Sequence, residues 1–187
     1  MKILISGNDH FGLSAAIGKL YPGQMTFASR ANNYDLCTDL GRDAFSELSK
    51  QMDVVIINAA LYRFQQTVLL EAVSKVCRAS GANPHIITIG STADRMKNGR
   101  PWLYSAEKKA LRDYSNTLSI GGVWTPGLPK VTYVSFGTLS NNAEKHPDRT
   151  CMDMDEAAKY IKWIISQPEY ININEISIDP MQGDDYK

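Results

Sequence analysis

Cysteine is scarce in this chain: Cys37, Cys77 and Cys151 stand far apart, with no paired spacing. That excludes a disulfide framework and a thiolate metal knot, and fits a reducing compartment. Histidine is equally scarce, and His10, His85 and His146 are too scattered to supply metal-ligand spacing. Net charge is absent, because 20 basic residues balance 20 acidic ones. No overall field would draw the protein to nucleic acid or to an anionic membrane. No apolar run approaches a membrane span, and the opening MKILISGNDHFG reaches glycine too soon for a signal sequence. The expectation is a soluble, cytoplasmic protein without a metal. Repeats, linkers and low-complexity segments are also missing, so residues 1–187 are expected to form one domain with a sizeable core.

What is present is a series of short apolar runs. KILIS (2–6), MTFAS (25–29), DVVIIN (53–58), HIITIG (85–90), VTYVSF (131–136) and EISID (175–179) read as strands. Runs without polar alternation suit strands covered on both faces, as in a parallel sheet. Segments 12–20, 43–50, 61–80, 102–119 and 153–167 carry helical spacing. In the third of these, Leu61, Phe64, Val68, Ala72, Val76 and Ala79 fall on one face. The alternation predicts an α/β fold with a doubly wound, mostly parallel sheet of the Rossmann type. One connection is short: only RANNYD separates the second strand from a possible third, LCTDL. A parallel crossover needs a dozen or more residues, so either that strand is rudimentary or its helix has shrunk to a loop.

ISGNDHFGLSAAIG puts Gly7 directly after a strand and Gly12 at a helix start. Gly7 would permit a tight turn, Gly12 a close approach of backbone to a pyrophosphate, and the helix N-terminus would stabilise that anion. The next strand ends in Ser29-Arg30, with no acid before Asp35. An acid at that place binds a ribose hydroxyl, whereas an arginine accommodates a 2′-phosphate. NADP(H) is therefore favoured over NAD(H).

From here the chain resembles the short-chain dehydrogenase/reductase family, in a compact form and over nearly its whole length. ISGNDHFGLSAAI is similar to that family's glycine-rich turn, which implies cofactor contacts from Gly7, Phe11, Gly12 and Leu13. SR (29–30) resembles its NADP-selecting strand end, and TDL (38–40) its adenine-contacting segment, implying Asp39 and Leu40. INAA (57–60) resembles its Asn-Ala-Gly motif, implying Asn58, Ala59 and Ala60. ITIGS (87–91) resembles the strand leading to the catalytic serine, Ser91. YSAEK (104–108) resembles Tyr-x-x-x-Lys. SFGT (135–138) resembles the segment beside the nicotinamide, implying Gly137 and Thr138, and INEISIDP (173–180) the last strand. By this resemblance Tyr104 is the acid/base, Lys108 tunes it and holds the nicotinamide ribose, and Ser91 orients the substrate oxygen.

The chemistry explains the residue types. Carbonyl reduction builds charge on oxygen, so a proton donor must stand beside it. A free phenol titrates near 10, and a nearby ammonium lowers that value. The chain also departs from the family. Ser14 replaces the third glycine, Phe136 stands where proline is usual, and Ala60 replaces a glycine. The helix asparagine of the family's proton relay has no clear counterpart, and neither Gln65 nor Gln66 is assigned to it. No room is left for a substantial substrate lid, so the substrate side should be open. Trp102 and Leu103 could form an apolar wall there, or belong to the core.

The leading expectation is an NADP(H)-dependent oxidoreductase interconverting an alcohol and a carbonyl on a small-molecule or carrier-attached substrate. A non-catalytic NADP(H)-binding sensor or a structural partner subunit on the same fold are the alternatives. The resemblance further implies a homodimer or homotetramer associating through helices 61–80 and 102–119.

Overall fold

The computed structural model describes residues 1–95 and 102–182, so part of the polar stretch between Ser91 and Tyr104 lies outside the described residues. Among the described residues six strands form one sheet: β1 (Ile3–Ser6), β2 (Met25–Ala28), β3 (Val54–Ile57), β4 (His85–Ile89), β5 (Val131–Phe136) and β6 (Glu175–Ile178). Their order is β2-β1-β3-β4-β5-β6, and every pairing is parallel. Strands β1 and β3 are buried throughout because helices cover both of their faces, which explains their unbroken Ile, Leu and Val.

The helices are α1 (Gly12–Leu20), α2 (Asp39–Ser49), α3 (Gln65–Ser80), α4 (Leu103–Trp124) and α5 (Met154–Ile165). On one face, Leu13 and Ile17 of α1 and Ala157 and Ile161 of α5 pack with Ile5, Ile56 and Val134. On the other, Phe45, Leu70, Val73 and Leu111 from α2, α3 and α4 pack with Leu4, Val55 and Ile86. The two clusters make the doubly wound sandwich.

Five expectations are corrected. LCTDL forms no strand: Thr38 caps α2 by accepting a hydrogen bond from the Gly41 amide at 3.1 Å, and the helix begins at Asp39 rather than residue 43. The chain therefore passes from β2 through a 3₁₀ turn (Arg30–Asn32) into α2 and returns to β3 on the other side of β1. Helix α3 begins at Gln65, not residue 61, because Arg63 and Phe64 adopt left-handed backbone at φ 57° and 61°. Its core face is Gln66, Leu69, Leu70, Val73 and Cys77. Phe64 and Ala79 are exposed, since α3 carries a second apolar stripe that the sheet does not cover. Finally, α4 runs on past residue 119 to Trp124.

Candidate active site

The sheet order reverses between β1 and β3, and the expected site residues gather at the carboxyl ends of these strands and of β4. A crevice at such a reversal is where open α/β sheets bind ligands. The Ser6 hydroxyl ties the two strand ends together, accepting hydrogen bonds from the backbone amides of Asn58 (2.8 Å) and Ala59 (2.9 Å). Ala60 follows, exposed.

Gly7 turns the chain at φ 149°, its amide bonded to the Ala28 carbonyl at 2.9 Å. A Cβ on Gly7 would lie 2.7 Å from the Ser14 hydroxyl and 2.8 Å from the Ser14 Cβ. Ser14, in the place of a third glycine, thus fits because Gly7 has no side chain. Its hydroxyl donates to the Asn8 carbonyl at 2.7 Å. The Asn8 carboxamide oxygen accepts from the amides of His10 (3.1 Å) and Phe11 (2.9 Å). Helix α1 then starts with no side-chain cap and no acid in its first turn. Its leading amides, including those of Gly12 and Leu13, remain available to an anion. The Leu13 side chain is in the core, so only its backbone can serve there, while the Phe11 ring is exposed.

At the end of β2, Ser29 is extended and Arg30 opens the 3₁₀ turn with its side chain exposed. Asn32 folds back to accept from the Ser29 amide at 2.6 Å. Asp39 and Leu40 lie in the first turn of α2, both open to solvent, and the Asp39 carboxylate pairs with Arg42. Gly137, just beyond β5, donates to the Ile178 carbonyl at 2.9 Å, and a Cβ there would strike Asp179 Oδ1 at 2.5 Å. The Thr138 carbonyl accepts from the Met152 amide at 2.9 Å. Phe136 is buried against the α1 and α5 side of the core. That is why a large ring is tolerated next to Gly137.

Ser91 follows β4, and Tyr104 sits in the first turn of α4. Ser105 joins the two segments, its hydroxyl donating to the Ala93 carbonyl at 2.7 Å. The Tyr104 side chain neighbours that of Ser91. One turn later on α4, the Lys108 ammonium lies 5.4 Å from the centroid of the Tyr104 ring. The lowering of the Tyr104 pKa expected from Lys108 is corrected: burial raises it, Ser91 opposes this, and Tyr62 and Glu107 add to it. Burial pulls Lys108 down to about 8, against the Glu107 and Asp94 carboxylates. Trp102 stacks at a tilt on Tyr104, with ring centroids 5.3 Å apart, and both Trp102 and Leu103 are exposed rather than core.

Sequence reasoning left Gln66 unassigned, yet it lies at the centre of this cluster. Its amide nitrogen donates to the carbonyls of Ile57 (3.0 Å) and Ile89 (2.8 Å), bridging the ends of β3 and β4. Its oxygen accepts from Lys108 Nζ at 2.7 Å. The available signal was a polar residue among the apolar ones of an amphipathic helix, but the stripe 61/64/68/72/76/79 had put it on the wrong face. Glu107 was also passed over. It is buried, and its carboxylate accepts from the Arg63 amide at 2.5 Å, pinning the left-handed turn before α3 to the helix that carries Tyr104.

The fold is that of the short-chain dehydrogenases/reductases. A short-chain dehydrogenase from Burkholderia cenocepacia, solved in complex with NADP, superposes with a TM-score of 0.75 at 14% identity, over 95% of this chain and 89% of that one. A short-chain type dehydrogenase/reductase from Mycobacterium marinum gives 0.73 at 14%, over 95% and 93%. Serine dehydrogenase from Escherichia coli gives 0.68 at 17%, over 95% and 97%. No family model and no curated protein sequence matches the chain. Among the described residues no helix is long and apolar enough to cross a membrane, and no cluster of His, Cys, Asp and Glu could hold a metal.

Proposed function

We propose that the protein is an NADP(H)-dependent oxidoreductase that reduces a carbonyl to an alcohol, with Tyr104 as the proton donor. The observation that carries this reading is the convergence of Ser91, Tyr104 and Lys108 at the carboxyl ends of the strands. The glycine turn lies at the same edge, with an uncapped, acid-free helix start beside it. These features fit a dinucleotide: the α1 amides would hold the pyrophosphate and Arg30 a 2′-phosphate, while Asn58, Ala59, Gly137 and Thr138 line the strand ends. When bound, the cofactor supplies the hydride.

The chain's own residues supply the rest. Ser91 orients the substrate oxygen by donating a hydrogen bond, and Tyr104 gives it a proton as charge develops. A phenol ordinarily titrates near 10, so Tyr104 carries its proton at neutral pH and can donate it. Lys108 places a positive charge against the phenol and stabilises the phenolate that proton transfer leaves behind. It donates to Gln66 and, at 3.4 Å, to the Ile89 carbonyl, which leaves its third donor for a ribose hydroxyl. Between Thr138 and Met152 only a 3₁₀ segment (Ser140–Lys145) stands where a lid could form, so bulky or carrier-attached substrates are favoured over small ones. Val68, Ala72 and Val76, half-buried on α3, offer a surface for association into a homo-oligomer.

One observation favours a non-catalytic reading, that Asn8 already occupies two amides of the glycine turn and so weakens its hold on a phosphate. Titration with NADPH and NADH, followed by turnover on small and bulky carbonyls, separates the two. The enzyme reading requires NADPH-dependent reduction that falls about a hundredfold or more in Tyr104→Phe, with cofactor affinity kept. Tight NADPH binding without turnover on any carbonyl would establish the sensor instead.

A further inference from the structure

Ser91 is held from both sides by two buried residues outside the Ser-Tyr-Lys cluster. Tyr133, in the middle of β5, is wholly buried, and its hydroxyl donates to Asp94 Oδ2 at 2.9 Å. The same phenol oxygen abuts the backbone that leads into Ser91. It also lies so close to the β4 end that a Cβ on Gly90 would stand 1.9 Å from it. On the far side of Ser91, the Asp94 amide donates to the Ser91 carbonyl at 2.9 Å.

The contacts form a chain from β5 to Ser91. Asp94 engages the Ser91 carbonyl, Tyr133 presses on the preceding Gly90, and these two partners are bonded to each other. The Asp94 carboxylate has no solvent exposure and lies 3.5 Å from Arg95 and 3.9 Å from Arg112. Both arginines are in turn fixed by Glu175 of β6. A buried carboxylate held this way is costly to keep and fixes geometry.

We infer that Tyr133 and Asp94 are positioning residues for the reaction, which aim the Ser91 hydroxyl at Tyr104 by clamping the Ser91 backbone. The inference rests on the oxidoreductase reading but concerns residues which that reading does not use. Gly90 is part of the device, since any side chain there would displace the phenol.

The test is a double-mutant cycle on hydride transfer, followed as a single turnover with NADPH so that slow variants remain measurable. Tyr133→Phe should slow the native protein about tenfold or more while leaving NADPH affinity unchanged. In a Ser91→Ala background the same change should cost nothing further, because the clamp then has no hydroxyl to aim. Asp94→Asn, which keeps an acceptor oxygen, should retain near-native rates. If Tyr133→Phe does not fold, Asp94→Ser breaks the same link and should show the same cancellation.

Equal losses in both backgrounds, or no loss in the native one, would overturn the inference. Absence of turnover in the native protein would instead overturn the oxidoreductase reading. The clamp is then read from hydrogen exchange at the Asp94 amide, which bonds the Ser91 carbonyl and which Tyr133→Phe should accelerate about tenfold relative to the amides of β4. Unchanged exchange at Asp94 would refute it.

Discussion

Gln66 accepts a hydrogen bond from the Lys108 ammonium at 2.7 Å while its amide nitrogen spans the carbonyls of Ile57 and Ile89. One side chain thereby couples the ends of two strands to the helix that carries Tyr104. A buried ammonium is costly unless it is hydrogen-bonded, and Gln66 supplies the shorter of its two bonds.

Gln66→Leu should remove that partner and leave two strand-end carbonyls short of a donor. Stability should fall by about 2 kcal/mol in denaturant unfolding, and turnover by about tenfold or more. Gln66→Glu separates structure from electrostatics. A carboxylate beside Lys108 should raise its pKa and move the alkaline limb of the rate profile upward. An alkaline limb that does not move would contradict the pairing.

Lys108 also sets a pH dependence in the cofactor-free protein. Folded, it releases its proton near pH 8; unfolded, it does so near 10.5. Between these values the unfolded chain binds more protons, so this group's contribution to stability rises with pH across the window. Lys108→Met should abolish that rise. Carbonyl reduction should show the opposite trend, with kcat/KM falling above about pH 8 as the ammonium is lost.

His85, at the start of β4, predicts acid sensitivity away from the site. Its ring is bonded to Thr132 at 2.8 Å, and burial, with Lys130 nearby, lowers its pKa from 6.5 to about 4. As pH falls from 6.5 towards 4 the unfolded chain takes up the proton first, so stability is lost through that interval, by about 3 kcal/mol at most. His85→Gln should flatten this part of the stability profile and leave turnover at pH 7 unchanged.

Arg30 should decide cofactor preference. Its side chain is exposed at the end of β2, where a 2′-phosphate would sit. Arg30→Ala should weaken NADPH binding about tenfold, or roughly 1.4 kcal/mol, and leave NADH unaffected. Isothermal titration of both cofactors checks it, and equal affinities in the native protein would remove the basis for the assignment.

The fold was legible because its determinants are local. Short, mostly apolar runs such as VVII and HIITI suit strands covered on both faces, and glycines marked the turns that close them. The order of Ser91, Tyr104 and Lys108 along the chain could likewise be read, since strand end and helix start fix their rough places. What the sequence did not settle depends on contacts between distant segments. LCTDL is apolar enough for a strand, but the Thr38 cap and the packing of Phe45 make its end the start of α2. The register of α3 turns on the left-handed Arg63 and Phe64, held by Glu107 from a helix more than 40 residues away. That register brings Gln66, rather than Gln65, to Lys108. The clamp on Ser91 depends on strand β5 placing Tyr133 beside Gly90. Short-range pattern determined which elements form; burial and hydrogen bonding across the sheet decided which polar residues meet at its edge.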